Sequence, residues 1–145
     1  MSEKINFLII EETDYKFLYE LLLQRKKIVN ISHKKMPTYE EHVKFIESEP
    51  YSKWYIIQID DKKIGSIYLT KENEIGIHFF TQYEESERFQ NVIKEFFLKE
   101  PQDRFVMNVS PKNEQYIDLA KKLGFHLVQH TYERDESKAF NKNGG

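Results

Sequence analysis

The chain has 145 residues, with 22 Lys and Arg against 24 Asp and Glu and no cysteine, a length that fits one domain spanning 1–140 and a loose tail at 141–145. A net charge of −2, with both signs scattered along the chain, leaves no basic face for a phosphate backbone and argues against nucleic acid as a partner. The missing cysteines exclude disulfides, a thiolate zinc site and a cysteine nucleophile. With no apolar run longer than Phe7-Leu8-Ile9-Ile10, where a membrane helix needs about 20 residues, they point to a cytoplasmic protein that does not enter membranes.

Eleven Phe, nine Tyr and one Trp supply the large side chains of a core. In chain order, Phe7 to Ile10 reads as a short buried strand, ended by Glu11-Glu12. Thr13 can cap a helix running to about Val29, whose inner face carries Phe17, Leu18, Leu21 and Leu22. Thr38 and Glu41 have capping-box spacing before a short second helix with Val43 and Ile46. Three strands then follow at 54–59, 64–70 and 74–80, separated by turns at Asp60-Asp61 and Lys71-Glu72-Asn73, and should form an antiparallel meander. From Ser86, apolar residues at Phe89, Val92, Ile93, Phe96 and Phe97 give the clearest helix, limited by Pro101. A strand at 105–109, a helix at 113–123 closed by Gly124, and a strand at 125–132 complete the series. The expected architecture is α/β, a mixed and mostly antiparallel sheet of six or seven strands with helices on both faces.

That order and the run from Asn113 to Leu123-Gly124-Phe125, with Gly-Phe eleven and twelve residues after the Asn, resemble the GCN5-related N-acetyltransferases (GNAT) over residues 5–133. Ile64-Gly65-Ser66-Ile67 is similar to the family's third strand and Glu74-Ile75-Gly76-Ile77-His78-Phe79 to its fourth. The resemblance implies direct acetyl transfer from acetyl-CoA to a primary amine of a small molecule, an amino sugar first and a protein N-terminus second. It implies a splayed pair of parallel strands, 74–80 and 105–109, whose free amides receive the pantetheine arm as an extra strand. The backbone of His78, Phe79 and Phe80 would hold the acetyl and pantetheine groups. Ser86, Arg88, Phe89 and Gln90 would lie at the pyrophosphate, and Asn113 on the cofactor's far side.

The chain departs from the family at the pyrophosphate loop. Glycines belong there so that amides can close on the phosphates, and Glu85, Glu87 and Phe89 stand in their places. Carboxylates at a helix start complement its dipole but repel an anion, so a noncatalytic module that keeps the fold and has lost acetyl-CoA is the rival expectation. Ala120 occupies the position of the family's usual tyrosine acid, and Tyr116 lies one turn earlier. His78, with an intrinsic pKa near 6.5, is the candidate base and Glu74 the alternative, each weighed against an ordinary structural role. His42 on a helix stripe reads as a core or rim residue, and the scattered His33, His126 and His130 give no metal-ligand spacing, so no metal is expected. The basic loop 25–35 would lie over the acceptor site, and the aromatic-rich strands leave room for a homodimer.

Overall fold

Strand residues alternate between the two faces of a sheet, and here both sets are apolar: Ile56 and Ile57, adjacent in sequence, are each 0% exposed. The sheet is therefore covered on both sides. The computed structural model describes residues 3–29 and 36–136, so the expected tail, His33 and the 30–35 part of the basic loop lie outside the described residues. The elements are β1 (Ile5–Ile9), α1 (Tyr15–Val29), α2 (Tyr39–Glu47), β2 (Lys53–Ile59), β3 (Lys62–Leu69), β4 (Ile75–Phe79), α3 (Ser86–Lys99) and α4 (Glu114–Lys122). The strands form one antiparallel sheet in the order β1-β2-β3-β4.

Odd-numbered residues of the central strands, among them Ile57, Ile67 and Ile77, face α3, where Phe89, Val92, Ile93 and Phe96 sit at helical spacing. The opposite face packs Ile56 and Trp54 against Leu18 of α1 and Ile46 of α2. The β2–β3 hairpin turns on Asp60 and Asp61, both with positive φ (47° and 68°), as a two-residue turn matched to strand twist requires. Thr38 caps α2 through the expected box: its Oγ1 accepts from Glu41 N–H at 3.1 Å, and the Glu41 carboxylate accepts from Thr38 N–H at 2.9 Å. Asn113 caps α4 by accepting from Tyr116 N–H at 3.1 Å. Gly124, at φ +93°, ends α4 with the paired bonds Gly124 N–H to Lys121 O and Phe125 N–H to Ala120 O, each 3.0 Å.

Four expectations are corrected. The cap of α1 is not Thr13. The chain enters through a 3₁₀ turn at Glu12–Asp14, so the capping acceptor is the buried Asp14 carboxylate, which takes Glu11 N–H at 3.0 Å and, on its other oxygen, Lys63 Nζ at 2.6 Å. The first strand lies at the sheet edge with one neighbour, leaving Ile9 77% exposed rather than buried. Residues 105–109 contribute a single parallel bridge, Glu74 to Val106, and no strand forms over 125–132, where Leu127, Val128 and Tyr132 are exposed. The sheet among the described residues thus has four strands, short of six or seven: a strand needs a partner edge, and a segment that diverges from β4 offers none. Among the described residues, no helix is long and apolar enough to cross a membrane.

Candidate active site

Between α1, α2 and the even-numbered face of the sheet lies a cavity of about 390 Å³. Its floor is built by strand alternation and register: Trp54 from β2, Ser66 and Tyr68 from β3, and His78 from β4, with Tyr68 opposite Gly76 and Ser66 opposite His78. A Cβ on Gly76 would lie 1.9 Å from the Tyr68 ring, so glycine is what lets Tyr68 lie flat across β4. Tyr51 stacks on Tyr68 with ring centres 3.9 Å apart and planes within 4°. Trp54 Nε1 donates to Ser66 Oγ at 2.7 Å. Glu41, His42 and Phe45 of α2, Leu18, Leu21, Leu22 and Arg25 of α1, and Pro37 complete the lining.

Two polar atoms in this apolar lining, Nε2 of His42 and Nε2 of His78, are buried with no hydrogen-bond partner among the described residues. Burial, and then the Arg25 charge, push the His78 imidazole down to about 3, so it is neutral at physiological pH. Burial lowers His42 as well. Glu74, the alternative base, sits where β4 begins: its N–H donates to Thr70 Oγ1 at 2.9 Å, and burial first, with its charge a smaller cause, holds the Tyr51 and Tyr68 hydroxyls in their protonated form.

At the other edge of β4 the chain parts. Ile75 N–H donates to Val106 O (2.8 Å) and Val106 N–H to Asn73 O (2.9 Å), and beyond this bridge no ladder joins β4 to residues 107–109. In an antiparallel pair, alternate residues turn their amides to the partner strand. The Phe80 N–H is committed to Ile64 O at 3.0 Å and His78 pairs with Ser66, so the main-chain groups that turn to the open edge are those of Ile77 and Phe79. Among the three expected amides, Phe79 lies at the wedge, and Ile77 joins it.

The expected pyrophosphate residues are drawn into the protein's own contacts. Arg88 pairs with Glu3 (2.6 Å), donates to Tyr83 O (2.6 Å) and lies 3.8 Å from Glu85. Ser86 Oγ accepts from Gln115 Nε2 (2.8 Å), Gln90 Nε2 reaches Ser86 O (3.4 Å), and Phe89 is buried with its ring 4.9 Å from Tyr116. Tyr116 OH donates to Glu84 at 2.6 Å; burial first, and then this carboxylate, raise its pKa. These contacts bridge the start of α3 to α4. With Asn113 serving as a cap, the residues present suit a thioester arm at the wedge but supply no glycine cradle for a pyrophosphate. The sequence reading missed the aromatic wall of Tyr51, Trp54 and Tyr68 and the Nε2 of His42; the even-numbered alternation Trp54, Ser66, Tyr68, His78 was the available signal.

No protein-family model and no curated protein matches the chain in sequence. Solved structures match in shape. Spermidine N-acetyltransferase from Vibrio cholerae, solved with CoA and spermine, is 14% identical with a TM-score of 0.72, over 90% of this chain and 85% of that one. RimL, the ribosomal L7/L12 alpha-N-protein acetyltransferase solved with CoA, is 18% identical with a TM-score of 0.67, over 88% of this chain and 83% of that one. A GNAT-family acetyltransferase from Bacillus anthracis is 19% identical with a TM-score of 0.61, over 86% and 81%. At these identities the likeness establishes the fold.

Proposed function

We propose that this chain, which carries the GNAT fold, is an acetyl-CoA-dependent N-acetyltransferase acting on a primary amine of a small molecule. The observation that carries the reading is the wedge at the open edge of β4, with the free main chain of Ile77 and Phe79 on one side and the cavity bearing His78 on the same strand. Acetyl-CoA would supply the acetyl group as a thioester. The chain's own part is to pair its β4 edge with the arm, exclude water through α1 and α2, and hold the amine against the thioester so that two bound reactants meet as one.

His78 is the residue we place at the amine. A neutral imidazole accepts a hydrogen bond from an uncharged amine, and its low pKa means that it orients the nucleophile without becoming a stable cation. The bridge across the start of α3 favours a second reading, a noncatalytic module that binds small molecules in the cavity and no longer takes acetyl-CoA.

A thermal-shift titration separates the two. Acetyl-CoA at a hundred times its dissociation constant should stabilise the transferase by about 2.7 kcal/mol, and no shift at millimolar concentration defeats the transferase reading. Given binding, His78→Gln should lower turnover about ten-fold or more with little change in acetyl-CoA affinity; an unaltered rate removes His78 from the mechanism.

A further inference from the structure

The cavity has few polar groups to spare. Ser66 Oγ already accepts from Trp54, and the Glu41 carboxylate accepts from the Thr38 amide. The unpartnered buried polar atoms in the lining are the Nε2 atoms of His42 and His78. Much of the remaining wall is hydrocarbon and ring: Leu18, Leu21, Phe45, Tyr51, Trp54 and Tyr68. A hydroxyl-rich sugar would leave several hydroxyls desolvated without partners in such a space. A polyamine would bring several charges to a lining that offers one carboxylate, Glu41, and would face Arg25, which has no ion pair among the described residues. A flat apolar body, by contrast, finds ring edges and faces on several sides in a space of about 390 Å³.

We infer that the acceptor carries its amine on an aromatic body, an arylalkylamine in chemical class, with the ring among Phe45, Trp54 and Tyr68 and the uncharged amine at the two histidine Nε2 atoms. This rests on the transferase reading above. It replaces the amino sugar expected from the sequence with an acceptor chosen by the lining. The imidazoles then have the role their burial leaves open: an Nε2 without a partner is offered a polar group to bond.

Trp54 is the chain's one tryptophan and stands in the cavity wall, so its emission reports occupancy without any need for acetyl-CoA. Phenethylamine should change that emission saturably, with a dissociation constant about ten-fold or more below those of glucosamine and spermidine. Phe45→Ala, at a position already 43% exposed, should weaken phenethylamine about ten-fold while the melting temperature confirms the fold. Glucosamine or spermidine binding as well as phenethylamine, or no saturation by phenethylamine, overturns the inference. Release of CoA thiol from acetyl-CoA with glucosamine but not phenethylamine overturns it and leaves the transferase reading standing. Saturable phenethylamine binding with no thiol release for any amine overturns the transferase reading on which it rests.

Discussion

The His78 imidazole titrates normally in an unfolded chain, near 6.5, and near 3 in the folded one. Between those values the unfolded state takes up a proton that the native state refuses, so this residue's contribution to stability is intact above about pH 6.5 and is lost as pH falls toward 3. His42 acts in the same direction. Urea denaturation across this window should show stability falling with pH, and His78→Gln should flatten the fall by as much as about 1.4 kcal/mol per pH unit; an unchanged slope means that the imidazole is already charged in the folded protein. That His78 shares a strand face with Gly76 was legible from the sequence, because strand period fixes the face. Its low pKa was not, since that depends on burial under α1 and on Arg25, far away in the chain. Which amides face the wedge was equally hidden. That is a matter of pairing phase, and a bulge at Ile57/Gln58 breaks any simple count across the sheet.

At the scale of elements, the start of α3 concentrates the conflict between folding and binding. Glu87 lies in the first turn, and Glu84 and Glu85 precede the helix, where negative charge favours helix formation and opposes a pyrophosphate. Replacing all three with Gln should tighten acetyl-CoA about ten-fold in calorimetry at low salt, less at high salt, and leave acetyl-pantetheine, which has no pyrophosphate, unchanged. Equal affinities before and after substitution would place the phosphates elsewhere. The helices α2, α3 and α4 were legible because capping residues and apolar period are local signals. The segments at 105–109 and 125–132 misled because apolar, β-branched sequence records a tendency to pair and not whether a neighbour comes within reach.

Across the whole molecule, the sheet joins pairings of very different reach. β2, β3 and β4 follow one another through tight turns, whereas β1 reaches β2 only after α1 and α2 have been traversed. Closing that long loop costs more chain entropy than closing a hairpin, so the β2–β4 meander should resist local opening longer than β1 and the two helices between them. Native-state hydrogen exchange should accordingly find the amides of Tyr55, Ile57 and Ile67, which turn to partners within the meander, among the slowest and those of α2 and β1 faster by about ten-fold or more; uniform protection would show that the two halves open together. The salt bridge from Asp14 to Lys63 ties the two halves directly, across the entrance to α1.

The place of the cavity in that order has a consequence for refolding. One wall belongs to the durable meander and the other to the helical half that docks onto it, so the binding space exists only once the slow closure is complete. An occupant touching both walls would act as a latch: it would leave the early hairpins indifferent to its presence and retard the first step of dissolution, the departure of α1 and α2 from the sheet.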